Sequence, residues 1–465
     1  MHTLTRQTFS TSREMDFFSQ KELETQTGHG RHEWPFVIIK ELVDNALDAC
    51  EEHDIAPEIT ITADAQGITV SDNGPGLPDS TLRGACDFTV RCSSREMYIA
   101  PDRGAQGNAL MTLLSMPRVL DKDDGKFIVE CHGVRHVITC DADPITQRAR
   151  VSDDQSESGV TQGTAVRIQW EQREDDDGDI EWPFALRQRE GWSWVNKILR
   201  DRFWEMALSF AFFNPHATII VRWFDEEDVQ FDATDPTWVK WKPNKPTSPH
   251  WYKLEHLERL IAAYITRARD TGQDRTVADF IAEFDGLKSN AKRKRILDET
   301  GLARVYLSGL TDGDQLDHPR INSLLASMKA HSKEVGPRRL GVIGESHFRK
   351  RCEQIGYEAD SFRYDRNLLF DDGIPCVVET MFAFRGENVS DERFFVGGVN
   401  WSAGVDNPFK SVGADGLGSI LRDQRISSRE PVIFAVHLAK ARVEYRDRGK
   451  TQIILNGSEP PEDDK

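Results

Sequence analysis

Between Trp34 and Glu52 the apolar residues Phe36, Ile39, Leu42, Val43, Ala46, Leu47 and Cys50 recur at intervals of three and four. That spacing predicts a helix with one buried face. The pattern then shortens. Ile59–Ala63 and Gly67–Ser71 are predicted as two strands joined by a turn that begins at Asp64. A glycine-containing stretch, Arg103-Gly-Ala-Gln-Gly107-Asn108, opens an amphipathic helix. Farther on, Gln162-Gly163-Thr164 is a turn that enters a strand. Trp192, Trp194 and Trp204 fall at near-helical spacing, where core packing is the expected role.

Polar residues fall at particular points of these elements. Glu41, Asn45 and Asp48 lie three and four residues apart on the first helix, so they share a stripe. A carboxylate can orient water, and an amide oxygen can ligate a hard cation. The second strand runs into Asp72-Asn73-Gly74-Pro75-Gly76-Leu77, where glycines let the backbone approach a flat ligand and an acid can accept from an exocyclic amine. Gly104 and Gly107 precede a helix N-terminus, an arrangement that presents N–H groups to phosphates. Taken singly, each has a plain reading as a solvated face or a Gly/Pro turn. Their order along one chain is what carries the signal. The alternative phosphate loop, GxxxxGK[ST], is excluded, because Gly449-Lys450-Thr451 has Glu444 where the first glycine belongs.

In this order the segments resemble the nucleotide site of the GHKL ATPases, the superfamily of the DNA gyrase ATPase, the ninety-kilodalton heat-shock chaperones, histidine kinases and MutL. The resemblance implies ATP and Mg²⁺ as ligands. It makes Glu41 the general base, Asn45 the Mg²⁺ ligand and Asp72 the adenine-reading acid, with Gly74 and Gly76 beside it. Gly104, Ala105, Gln106, Gly107 and Asn108 become the phosphate lid, Thr164 the hydroxyl that supports Asp72, and Asp48 a residue behind the site. Gln106-Gly107-Asn108 departs from the apolar residue usual after the second lid glycine.

Several further segments resemble the B subunit of DNA topoisomerase VI, a type IIB enzyme. These are Arg13–Phe18, Phe213-Asn214-Pro215-His216-Ala217, Pro249-His250, Thr276–Gly301, Leu340–Glu345 and Pro431–Lys450. The fold class implied is α/β and multidomain, in three parts. A GHKL (Bergerat) ATPase sandwich is expected over residues 1–232, a helix–two-turns–helix insert over 233–335 and an α/β transducer over 336–456, before a disordered tail at 457–465. Lys450 is the position implied for the transducer lysine that reaches the γ-phosphate. Gly386–Arg422, with Asn400-Trp401-Ser402, has no clear counterpart, and the extra C-terminal domain of some relatives is expected to be missing. The resemblance further implies an ATP-dependent self-dimer that clamps double-stranded DNA. Strand cleavage would fall to a separate A-type subunit with a toprim unit and a tyrosine, in an A2B2 assembly. Two alternatives stay open: a stand-alone, MORC- or chaperone-like ATP-gated clamp, and a genome-defence or plasmid-maintenance component built on the same fold. A histidine kinase is disfavoured, because no phospho-acceptor helix precedes the site.

Charge and composition adjust this picture. The net charge of −18 argues against non-specific coating of nucleic acid, so DNA contacts must be local. Lys292, Arg293, Lys294 and Arg295 form one basic run, either a phosphate-contacting face or a solvated one, and Arg338-Arg339 with His347–Arg351 form a second. The acidic run Glu174–Asp179 is expected as a surface loop. Seven irregularly spaced cysteines suggest neither zinc nor disulfides. No apolar run reaches the roughly 18 residues of a membrane span, and the N-terminus lacks a signal-type apolar region. The expected location is the cytoplasm, at the nucleoid.

Overall fold

The computed structural model describes residues 12–89, 96–103, 109–174, 180–183, 192–313, 315–385, 393–410, 416–426, 430–446 and 451–454. Helix α1, Trp34–Glu52, has the boundaries that its periodicity predicts. It begins with a proline at its second position, where no N–H is needed. Strands β1 (Glu58–Asp64) and β2 (Gly67–Asp72) form the expected antiparallel pair. Helix α2 (Ala109–Leu120) follows the glycine stretch. After it come β3 (Lys126–Cys131), β4 (Val134–Asp143), β5 (Arg148–Glu157) and β6 (Thr164–Gln169). Helix α3 (Trp192–Phe213) leads to β7 (Thr218–Trp223) and β8 (Val229–Phe231).

These eight strands make one sheet in the order β8-β7-β1-β2-β6-β3-β4-β5. Only β1 and β7 pair in parallel. Alternate residues of the central strands, such as Ile59, Ile61 and Ala63 on β1 and Ile68 and Val70 on β2, are buried. Helix α1 supplies much of the opposing apolar layer through Val43, Ala46 and Leu47.

Four helices follow: α4 (Leu254–Thr271), α5 (Val277–Ile281), α6 (Asn290–Thr300) and α7 (His318–Ala330). They bury Leu257, Leu260 and Ile261 against Phe280, Leu324 and Met328.

After α8 (Glu345–Ile355) comes a second sheet, built from β9 (Arg363–Asp371), β10 (Ile374–Phe384), β11 (Phe394–Val399), β12 (Ser402–Ala403) and β13 (Val432–Lys440). Its order is β9-β10-β13-β11-β12, with β11 and β13 parallel and the other pairs antiparallel. The near-continuous apolar run of β13 reflects burial on both faces. Ile433, Ala435 and Ala439 join the main core, whereas Val436 and Leu438 join a separate cluster with Phe409, Leu417 and Leu421. The main core passes without a break through the N-terminal sheet, the helices and the C-terminal sheet.

The second basic run is not the surface patch its sequence suggests. His347 and Arg351 are buried, and Arg351 donates from Nε to the Ala211 carbonyl at 3.1 Å. Helical spacing turns these two toward α3, and only Arg338, Arg339 and Lys350 of the run are exposed. The six described cysteines are free. Among the described residues no helix is long and apolar enough to cross a membrane.

Candidate nucleotide site

Asp72 ends β2, paired across the sheet with Thr164 at the start of β6. Its Oδ1 accepts from the Gly74 N–H at 2.8 Å, and the Gly163 N–H donates to the Gly74 carbonyl at 3.0 Å. Partial burial pushes the Asp72 carboxyl above its usual range, while the Gly74 and Thr164 N–H groups pull it back. Two glycines are required here. Gly163 has φ of +76°, and a Cβ on it would lie 1.8 Å from the Asp72 carbonyl oxygen. Gly76 has φ of +93°, and a Cβ there would meet the His132 ring at 2.4 Å. The turn therefore packs as tightly as backbone permits. It sits against the C-terminal end of α1, where the Cys50 thiol lies 3.5 Å from Asn73 Oδ1.

The polar stripe of α1 divides by depth. Asn45 is exposed, Glu41 is partly exposed and Asp48 is 2% exposed. Three residues of helix place Asn45 and Asp48 about 60° apart around the axis, and the edge of the core falls between them. Asn45 and Glu41 thus face outward on the helix that flanks the Asp72 turn, and Asp48 faces inward.

Behind this face lies a buried ionic cluster. Arg103, 4% exposed, is at its centre. Its Nη1 donates to Asp48 Oδ1 at 2.6 Å and to Glu51 Oε2 at 2.7 Å. Its Nη2 donates to Glu51 Oε1 and to Asn214 Oδ1, both at 2.6 Å. Lys240 Nζ lies 2.7 Å from Glu51 Oε2, and His216 Nε2 lies 3.0 Å from Glu51 Oε1. Burial alone would raise the Glu51 carboxyl, but the Arg103 and Lys240 charges hold it well below its usual range. Lys40 bridges Glu41 Oε1 at 2.8 Å and Asp44 Oδ2 at 3.2 Å. Four acids (Glu41, Asp44, Asp48 and Glu51) thus meet three cations (Lys40, Arg103 and Lys240) along this helix.

Arg103, Glu51, Lys240, Lys40 and Asp44 carry no role in the sequence reading. A signal is present nonetheless: Asp44, Asp48 and Glu51 follow at intervals of four and three along an otherwise apolar face, a pattern that demands buried cations. Asn214 and His216, which the sequence marks only through a resemblance, are both cluster members.

The glycine stretch 104–108 and Lys450 lie outside the described residues, as do residues 175–179 and the tail. The basic run at 292–295 divides. Lys292 donates to the Gly286 carbonyl at 2.9 Å and Arg293 to the Ala278 carbonyl at 3.3 Å, while Lys294 and Arg295 are exposed.

Residues 30–174 match the family described as histidine kinase-, DNA gyrase B- and HSP90-like ATPases. Those residues are a GHKL ATPase domain. A domain of that type binds ATP, usually with Mg²⁺. The chain is also similar to the B subunit of type 2 DNA topoisomerase 6 from Archaeoglobus fulgidus, at 42% identity over 74 residues. That match spans 15% of this chain and 12% of the relative's length. Among solved structures, the N-terminal domain of a DNA repair protein covers 91% of this chain and 92% of its own, at a TM-score of 0.40 and 12% identity. The ATPase region of Saccharomyces cerevisiae topoisomerase II covers 90% of this chain and 77% of its own, at 0.35 and 10%.

Proposed function

We propose that the protein is the ATP-hydrolysing B subunit of a type IIB topoisomerase, which dimerises on ATP to clamp double-stranded DNA for a separate cleaving subunit. The observation that carries the reading is the joining of the two sheets at the ATPase helix. β12 of the C-terminal sheet bonds directly to α1 through Ser402 Oγ and Asp44 Oδ2, 2.6 Å apart. A plain nucleotide-binding domain has no need of that joint, whereas a clamp needs nucleotide state to reach a second body. The 74-residue likeness to a topoisomerase 6 B subunit adds support.

In this mechanism Asp72 accepts from the adenine amine, and Thr164 and Gly163 hold the turn that aims it. Asn45 would ligate Mg²⁺, which neutralises phosphate charge when bound. Glu41 orients water and takes its proton. Asp48 anchors Arg103 behind the site. Lys450 is assigned to the γ-phosphate and residues 104–108 to the lid. The division into an ATPase part to residue 232, a helical part to 335 and a transducer to 456 belongs to the same proposal, with Lys294 and Arg295 as the exposed DNA-contacting cations.

The test is plasmid relaxation by this chain together with a toprim-bearing cleavage subunit. ATP-dependent relaxation, with protein-linked breaks in a non-hydrolysable analogue, is the expected result. ATP hydrolysis without strand passage in the presence of that partner contradicts the topoisomerase assignment and favours a stand-alone clamp.

A further inference from the structure

The turn that joins the second sheet to α1 is held against its own backbone preference. Asn400 and Trp401 connect the paired residues Val399 and Ser402, and both have left-handed φ, 52° and 65°. A two-residue loop of this kind suits asparagine followed by glycine. Tryptophan in the second position is a steric outlier, which persists only where its surroundings enforce it.

Those surroundings are on both sides of the joint. Trp401 is fully buried. Its N–H donates to His437 Nε2 at 3.2 Å, its carbonyl accepts from Asn214 Nδ2 at 2.9 Å, and the Lys240 ammonium lies 4.7 Å from its ring centre. Asn400 donates from Nδ2 to the Asp102 carbonyl at 3.1 Å and accepts the Lys440 N–H at 2.9 Å.

What the enforced turn delivers is Ser402. Its hydroxyl donates to Asp44 Oδ2 at 2.6 Å, and the same oxygen accepts from Lys40 Nζ at 3.2 Å. Lys40 Nζ in turn donates to Glu41 Oε1 at 2.8 Å. The remaining Asp44 oxygen, Oδ1, is buried without a hydrogen-bond partner among the described residues and faces Arg103 Nε across 4.0 Å. Ser402 and Lys40 therefore supply the hydrogen bonds that orient the Asp44 carboxylate. A lysine has four rotatable bonds, so without Asp44 the Lys40 ammonium loses its second anchor, and Glu41 loses a fixed partner.

We propose that Ser402, Asp44 and Lys40 are positioning residues that fix the Glu41 carboxylate for water activation, so that docking of the C-terminal sheet on α1 licenses hydrolysis. The proposal rests on the ATPase reading of Glu41. It assigns the otherwise unmatched Asn400-Trp401-Ser402 segment the task of reporting sheet position to the base. It requires nothing of the phosphate-contacting lysine.

The experiment compares wild type, Ser402→Ala, Lys40→Met, Lys40→Arg and Glu41→Ala. It measures kcat and KM for ATP with Mg²⁺, Kd for a non-hydrolysable analogue, and the melting midpoint. Ser402→Ala is expected to lower kcat about tenfold, as loss of one hydrogen bond to a charged group implies. Lys40→Met is expected to lower it about 100-fold, the scale of a 1 Å misplacement. In both, analogue Kd stays within about twofold of wild type, and Lys40→Arg recovers most of the rate. Wild-type kcat in either Ser402→Ala or Lys40→Met overturns the proposal. So does a loss of kcat that tracks weakened analogue binding or a lowered melting midpoint, because that is a packing role. Failure of the underlying reading looks different: wild type does not hydrolyse ATP, or Glu41→Ala turns over normally.

Discussion

Asp72 is a single carboxylate whose surroundings fit its proposed task. It is partly buried and raised in pKa by that burial, yet it is aimed by the Gly74 N–H out of a turn built on two obligatory glycines. Asp72→Asn keeps the shape and replaces an acceptor oxygen with a donor. Binding of a fluorescent ATP analogue is expected to weaken by about 10- to 100-fold, the scale of one charge-assisted hydrogen bond, with little change in melting midpoint. Unchanged affinity for adenine nucleotides would remove Asp72 from the base-reading role. His347 makes a prediction of another kind. Burial, with the Arg351 guanidinium nearby, pushes its imidazole from 6.5 down to about 3. The unfolded chain therefore takes up a proton near pH 6.5 that the folded chain refuses. The contribution of this residue is complete above that pH and is lost as pH falls toward 3, about 2 kcal/mol of it by pH 5. His216, also lowered by burial, acts in the same direction. Urea unfolding at pH 7.5 and pH 5 should show the loss, and His347→Gln should reduce it. An equal loss in that variant would mean that His347 is not the group responsible.

Elements differ in how far the sequence reveals them. α1 and the β1–β2 pair are legible because their information is local: a three-four apolar rhythm, a proline at the entry and a two-residue alternation. The Asp72 turn is legible because glycine spacing records a steric demand. Asp48 falls on the expected helix, and its place behind the site is implied by the resemblance and not by periodicity, which gives direction and not the edge of the core. The ionic cluster is not legible as a whole. Ser402 reaches Asp44 across 358 residues, and Arg103 reaches Asn214 across 111, and no local pattern encodes such a pair. The Asn400-Trp401 turn is opaque for a related reason, because tertiary contacts override its preference for glycine. The docking of β11 on α3 carries its own test. A Cβ on Gly398 would meet the Phe213 ring at 2.4 Å, so the strand lies as close to the helix as a glycine allows. Gly398→Val is expected to cost about 1–3 kcal/mol in chemical denaturation and to slow ATP turnover by displacing β12. Wild-type stability in that variant would show that the two elements separate without cost.

In the molecule as a whole, two sheets are joined through one core and through polar contacts that include Ser402–Asp44, Trp401–Asn214 and Asn400–Asp102. The net charge of −18 leaves little general attraction for nucleic acid, so the proposed capture of DNA would have to come from closure around it and from local cations such as Lys294 and Arg295. The proposed clamp implies a change in assembly on closure. Sedimentation velocity with Mg²⁺ and a non-hydrolysable ATP analogue should show a dimer where the protein without nucleotide shows a monomer. An unchanged sedimentation coefficient would leave the clamp without its gate. Whether residues 30–174 hydrolyse ATP with Glu41 as the base is decided by steady-state ATP turnover of wild type and Glu41→Ala at matched nucleotide occupancy. Mg²⁺-dependent turnover is expected in the wild type, lost by at least about 100-fold in Glu41→Ala while the analogue still binds. Equal turnover in the two proteins would contradict that role for Glu41.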